Sequence, residues 1–523
     1  MWGMAICPIV LLLYLMVVRN WPTVRASAAG AFSALAIGIF VFGAPVECMA
    51  VETFKGLWSS ISIIVVIIPA ILIYEISRET QAFAAIQVEM SRLVPDPLLR
   101  LLALGWCFPS FLQGPSGFGV PIAVAAPLLI CIGVKPFWSV LIPLMAHAWG
   151  NTFGTLGLGW DALVQQTSLV AGTVAYWKAA LWSGAFTGFM CMASGFLICI
   201  FYNGLKGLAH GLPAVLILGT IMAGGQLALT QYSPALSTVL STTLAMAAVF
   251  PLARIELYKD PGTAKESPIF EKIDICPVNA PPVTMHEAFM PYYVLVAFSI
   301  FVLLTPSVSA LFGSWRISFS FPETATGYGF VNKAVNSYSP LAFFTHSGFF
   351  LLVSSLAAAL FFSLKGLISR KGACHILANT LKKSVPSGVS IIFLLVMSKI
   401  MTGSGQIDVL ARGTAAATGG YYAILAPMVG AMGSFIASSN VSSNILFGQF
   451  QESMAELTHR DTAAFLAAQT GGGAAGTMFS PSKVLLGTTT ACIPGAEGEL
   501  LKKLLIIGLG ISAFCGLVTF FGT

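Results

Sequence analysis

Charge is what this sequence has least of. Only 9% of its 523 residues are Asp, Glu, Lys or Arg, against about 25% in an average soluble domain, so a water-soluble globular fold is excluded. The net charge of +6 is spread along the chain and gives no basic patch for nucleic acid; in a membrane protein, basic residues mark cytoplasmic loops instead. The ten cysteines include no CxxC pair, are scattered from Cys7 to Cys515 and sit mostly in apolar segments. They read as small buried hydrophobes, with no disulfide framework, metal site or cofactor implied. Basic residues are missing before the first apolar segment and a small-residue cleavage site is missing after it, so that segment is expected to stay as a helix. Polar sequence is also scarce, the one long stretch being 254–287.

What is abundant is apolar sequence, 57% of residues, together with 51 glycines. Apolar runs recur over the whole length, and at roughly 20 residues per crossing they predict an all-α polytopic membrane protein of about 12 to 14 transmembrane helices, some broken or re-entrant. Arg19 and Arg25, then Arg78, Arg92 and Arg100, then Lys365, Arg370, Lys371, Lys382 and Lys383 mark three cytoplasmic loops. The acidic loop at 45–55, with Glu47 and Glu52, falls outside, which puts the N-terminus outside as well. The expected location is the cell membrane.

The polar stretch divides the chain into a first half, 1–253, a linker, 254–287, and a second half, 288–523. The halves resemble each other weakly. IYEISRETQAF, starting at 73, lies against MSKIMTGSGQI, starting at 397, an offset of 324 residues. Near the same offset GPSGFG (114–119) lies against SSNVSS (438–443), and FGTLGLGWDALV (153–164) against AGTMFSPSKVLL (475–486). One copy enters from an outside loop and the other from an inside loop, so the expected architecture is an inverted repeat with broken helices near the membrane midplane.

QGPSGFGVP (113–121) interrupts a long apolar stretch with three glycines and two prolines. Non-helical backbone at membrane depth leaves N–H and C=O groups that lipid cannot satisfy, so it survives only inside protein or beside a hydrated cavity. Gly114–Pro115 and Ser480–Pro481 both read as an N-cap followed by the first helical residue. Two such helix ends aimed at one place favour a small anion.

Three stretches then carry a resemblance. QGPSGFGVPIAVAAPLLICIGVKP (113–136), SSNVSSNILFGQFQ (438–451) and AAQTGGGAAGTMFSPSKVLL (467–486) are similar to the signature stretches of the L-lactate permease family, with matching spacing from about residue 50 to the C-terminus. The resemblance implies proton-coupled uptake of lactate, glycolate and related 2-hydroxy monocarboxylates. Where the family's motifs carry Glu, Asp and Lys, this chain has Gln113, Asn440 and Thr477. Coupling here must then use another group, and Na+ stands beside H+ as a candidate ion.

The candidate substrate-binding residues are Gly114, Ser116, Gly117, Phe118 and Gly119 in the first break, Ser438, Ser439, Asn440, Ser442, Ser443 and Asn444 in the second, and Ser480 and Lys483 after the last. Helix packing for the glycines and helix–helix hydrogen bonding for the polar run are the bland alternatives. Gln113, His147, Asp161 and Lys483 are the coupling candidates, since an ionisable group among apolar segments is functional by default. The repeat sets Asp161 opposite Lys483, either as a buried pair or with each near its own membrane face. Glu75 and Lys399 are expected at membrane borders. A different class remains: GPSG (114–117) matches the nucleophile pattern of rhomboid-type intramembrane serine hydrolases, with Ser116 as nucleophile and His147 as base, while SPSK (480–483) matches the S-x-x-K pattern of penicillin-recognising enzymes.

Overall fold

The computed structural model describes residues 1–19, 21–117, 119–259, 267–271 and 281–522. Phe118 and, within the expected linker, residues 260–266 and 272–280 lie outside them. Among the described residues twenty-two α-helices follow in order: α1 (Trp2–Val17), α2 (Thr23–Phe40), α3 (Val46–Glu79), α4 (Ala82–Leu93), α5 (Pro97–Leu102), α6 (Phe108–Gln113), α7 (Val120–Cys131), α8 (Pro136–Ala146), α9 (Gly154–Val164), α10 (Val174–Gly219), α11 (Gly225–Thr230) and α12 (Pro234–Leu252). After the linker come α13 (Met285–Leu304), α14 (Pro306–Gly313), α15 (Ser347–Leu364), α16 (Arg370–Gly403), α17 (Gln406–Thr418), α18 (Tyr422–Ala437), α19 (Asn440–Leu457), α20 (Thr462–Gly476), α21 (Pro481–Thr490) and α22 (Glu497–Gly522). An antiparallel hairpin, Arg316–Phe321 with Val335–Ala342, lies against the first turns of α3, where Phe319 meets Trp58 edge-on at 4.7 Å.

Among the described residues nine helices are long and apolar enough to cross a membrane. The expected spans outnumber them for two reasons. The apolar runs at 120–134 and 137–149 form only α7 and α8, helices of 12 and 11 residues, which end where breaks interrupt them. The candidate Val174–Thr230 is one unit of 57 residues by composition, yet its backbone leaves helical geometry at Asn203 and Gly204, and the chain doubles back so that Gly211 packs on Cys199.

The second half of the chain repeats the element lengths of the first. α2, α3 and α4 begin at 23, 46 and 82, and α15, α16 and α17 begin at 347, 370 and 406, each 324 residues on. α2 and α15 both have 18 residues, and α3 and α16 both have 34. Packing is exchanged between the copies: α2 lies on α16 and α15 on α3, while α9 lies on α19 and α21 on α7. α3 and α16 run antiparallel, since Cys48 at the start of α3 donates to the Gly403 carbonyl at the end of α16 (3.7 Å) and Glu75 near the end of α3 meets Lys383 near the start of α16 (2.5 Å).

The two ends of this helix pair differ in chemistry. At one, the buried Glu75 carboxylate is held by Lys383 and by Arg78 (3.1 Å), so it reaches cations of the protein and not lipid headgroups. At the other, Lys55 pairs with Glu52 (2.6 Å), and the Lys55 and Lys399 ammonium groups each sit 5.9 Å from the ring of Tyr338. Lys399 is likewise buried and donates to the Gln165 carbonyl (3.1 Å). Next to Lys55, Gly56 lets the two backbones approach closely. A Cβ there would lie 2.6 Å from Cα of Val396. Small residues let membrane helices approach this way, so Gly56→Val is expected to push α3 off α16 and lower stability by about 1–3 kcal/mol. Thermal unfolding in detergent measures it, and an unchanged midpoint would show that this contact is not needed.

Candidate functional site

Four interruptions of helix meet at one cavity. In the first, α6 ends at Gln113, and Gly114 is its C-cap. The next helix starts from Gly119, a left-handed N-cap with φ of 87°, with Pro121 in its first turn. Helix initiation therefore falls five residues after the expected Gly114–Pro115, because glycine at 119 supplies the positive φ that reverses the chain. In the second, Ser438 is left-handed (φ 57°) and Ser439 caps α19, its side chain accepting from the Ser442 N–H (3.5 Å). In the third, Thr155, Leu156 and Gly157 all have positive φ. For a β-branched residue such as Thr155 this is strained by about 1–3 kcal/mol, and the Leu156 N–H is taken up by the Gly114 carbonyl (3.0 Å). In the fourth, Ser480 and Pro481 start α21 as N-cap and first helical residue, as expected.

The cavity has a volume of about 350 Å³. Of the candidate residues, Gln113, Gly119, Ser438, Ser439, Asn440, Ser442 and Lys483 line it. Sequence reasoning missed Asn151, Thr155, Gly159 and Ser482, and also Ser387 and Ser390 from the middle of α16. Asn151 was available as a polar residue just before the recognised GT break. The two α16 serines gave no signal, since nothing in the sequence says which face of α16 meets the breaks.

Beneath the cavity an amide and hydroxyl network joins the two halves. Gln113 donates to Asn151 Oδ1 (3.3 Å), and Asn151 donates to Thr477 Oγ1 (3.0 Å). Asn440 donates to Thr152 (3.3 Å) and Thr470 (3.1 Å). Asn444 donates to the Gly159 carbonyl (2.9 Å) and to Thr470 (2.9 Å). Gln113, Asn440 and Thr477, the three neutral residues of the signature stretches, thus lie in this network. Among the described residues, Gln113 Oε1 and Asn440 Oδ1 are buried acceptors with no donor.

The remaining candidates stand away from the cavity lining. Asn444 and Ser443 act between helices; Ser443 donates to the Gly430 carbonyl (2.7 Å) and accepts from Gln469 (3.0 Å). Gly114, Gly117 and Ser480 lie behind the surface, where Gly117, at φ 48°, keeps clear of the Thr155 hydroxyl. Ser116 donates to the Leu112 carbonyl (2.7 Å) and His147 Nδ1 faces the Pro143 carbonyl (2.6 Å), so no hydrogen bond links Ser116 to His147 among the described residues. Asp161 and Lys483 form no ion pair among the described residues. The helices that carry them have different neighbours, α9 packing on α12 and α19, and α21 on α7, α8 and α22.

These features define a polytopic membrane protein with a cavity among broken helices that is lined in part by amides, hydroxyls and Lys483, a transport protein by class. The chain belongs to the L-lactate permease family, whose family model matches residues 3–523. It is 26% identical to the L-lactate permease of Escherichia coli (strain K12), over 93% of this chain and 89% of that protein. It is 24% identical to the L-lactate permease of Halalkalibacterium halodurans, over 99% and 95%, and 25% identical to the glycolate permease GlcA of Escherichia coli (strain K12), over 98% and 94%. Among solved structures, the Alcanivorax borkumensis YdaH transporter aligns with a TM-score of 0.43 and 15% identity, over 88% of this chain and 85% of that one.

Two substitutions separate scaffold from lining. Asn444→Ala takes the side-chain donor from the Gly159 carbonyl and one of the partners from Thr470, and is expected to lower stability by about 1–3 kcal/mol, read as a lower unfolding temperature in detergent. Gly117→Ala places a methyl group on the Thr155 hydroxyl in a backbone conformation that L-residues avoid. It is expected to reduce the yield of folded, monodisperse protein, and normal yield and stability would remove the close contact from the account.

Proposed function

We propose that this protein is a secondary active transporter that takes up lactate or a related small 2-hydroxy monocarboxylate together with a proton, by alternating access. The observation that carries the reading is the cavity between broken helices, in which Lys483 has no ion-pair partner among the described residues. Its volume of about 350 Å³ is at the lower end of the roughly 300–1,000 Å³ usual for ligand pockets, suited to a molecule of a few heavy atoms. The ammonium group and the starts of α7, α19 and α21 favour a carboxylate. The acceptor oxygens of Gln113 and Asn440 suit the hydroxyl of a 2-hydroxy acid. The names of the relatives, lactate and glycolate permeases, agree with that chemistry.

A cation must accompany the anion. Each negative charge entering a cell works against roughly 2.3 kcal/mol per 100 mV of membrane potential, so uptake of the anion alone cannot concentrate it. The antiparallel α3 and α16 and the exchanged packing support two inverted repeats within 1–253 and 288–523. With the basic loops inside, the N-terminus lies outside and the plasma membrane is the site of action. The hydrolase reading lacks its Ser116–His147 contact, and with it a way to activate the serine.

Uptake of labelled lactate into proteoliposomes, with pH and Na+ gradients imposed one at a time, tests the reading. Accumulation is expected with an inward proton gradient and not with a Na+ gradient. Excess glycolate is expected to compete, and propionate, which lacks the hydroxyl, to compete less. Accumulation driven by Na+ alone would overturn proton coupling, and equal competition by propionate would overturn the 2-hydroxy assignment.

A further inference from the structure

Lys483 is the one titratable side chain that lines the cavity among the described residues. It is 7% exposed, and no carboxylate or other acceptor holds its ammonium group among the described residues. The elements packed against α21 are α7, α8, α22 and the turn Thr477–Phe479. Their titratable groups are Cys131 on α7, His147 at the end of α8, and Glu497, Glu499, Lys502, Lys503 and Cys515 on α22. The acidic residues are engaged elsewhere: Glu497 accepts from Thr488 (2.7 Å) and the Gly495 N–H (2.8 Å), and Glu499 pairs with Lys503 (3.5 Å). His147 is fully buried, with one ring nitrogen at the Pro143 carbonyl, and stands outside the lining.

A buried ammonium group without a counter-ion is strongly disfavoured, whereas one paired with a carboxylate is not. Lysine can meet both conditions by changing protonation state, and buried lysines do so readily. Resting on the transport reading above, we infer that Lys483 is the single group through which both substrate and proton pass. On the outer side the neutral amine takes one proton from water, and the resulting ammonium pairs with one incoming carboxylate. The loaded site is neutral and reorients. On the inner side the carboxylate leaves first and the proton follows, so the empty site returns as the neutral amine. Each cycle moves one anion and one proton inward and no net charge, and no second proton-carrying residue is required.

Arginine distinguishes this from a lysine that serves only as a fixed positive charge, because a guanidinium group binds carboxylate but does not release its proton. In proteoliposomes Lys483→Arg is expected to exchange external labelled lactate for internal unlabelled lactate, more slowly than the wild type, and to lose pH-driven accumulation to the level of protein-free vesicles. Lys483→Gln is expected to lose both. Accumulation by either variant under a pH gradient would overturn the inference while leaving the transport reading intact. Wild-type vesicles that neither exchange nor accumulate any 2-hydroxy carboxylate would overturn both. A measurement on wild-type protein alone guards against misfolded variants: in detergent and weak buffer, a pH dye is expected to report close to one proton taken up per lactate bound, and binding without proton uptake would overturn the inference.

Discussion

Unpaired backbone groups cannot be left in hydrocarbon, and most of this molecule's polar sequence answers that constraint. Every break in a helix frees N–H and C=O groups, and several here find partners on another break. The Gly114 carbonyl receives the Leu156 N–H, and the Gly159 carbonyl receives Asn444. Thr152, Thr470 and Asn440 close the ring between the halves. The cavity is what remains at the centre once these pairings are made, so binding surface and structural repair are built from the same short stretches.

That double use explains which parts of the site could be read from sequence. A glycine-rich or serine-rich interruption of an apolar run is conspicuous, and the four breaks, their order and their spacing were legible for that reason. The repeat was legible too, down to the offset that relates α2 to α15 and α3 to α16. The division of labour within a break was not. Asn440 and Asn444 are one helical turn apart and of the same residue type, yet one lines the cavity and the other clamps Gly159. Their roles depend on which neighbouring helix each faces, and that is decided by packing between distant segments. Ser387 and Ser390 were invisible for the same reason, lying in an otherwise ordinary helix until α16 is placed beside the breaks.

The Asp161–Lys483 pair, one of the two arrangements the repeat allowed, shows a limit of reasoning from internal symmetry. Residues equivalent under the repeat occupy equivalent places in opposite halves, and equivalence does not bring them together. α9 and α21 exchange partners, each packing on the re-entrant helix of the other half, and thereby separate the two charges. The symmetry operates on backbone and on element lengths, while chemistry is free to diverge between the copies.

The divergence at the two ends of the α3 and α16 pair has an energetic meaning. Glu75 in one copy corresponds to Lys399 in the other at the common offset, so at equivalent places one end holds a buried carboxylate between Lys383 and Arg78 and the other a buried lysine near Tyr338. An alternating-access cycle of the kind proposed would exchange these unlike surroundings, so its inward-open and outward-open forms would not be mirror images in free energy. The unloaded protein would then have a preferred side on which to wait.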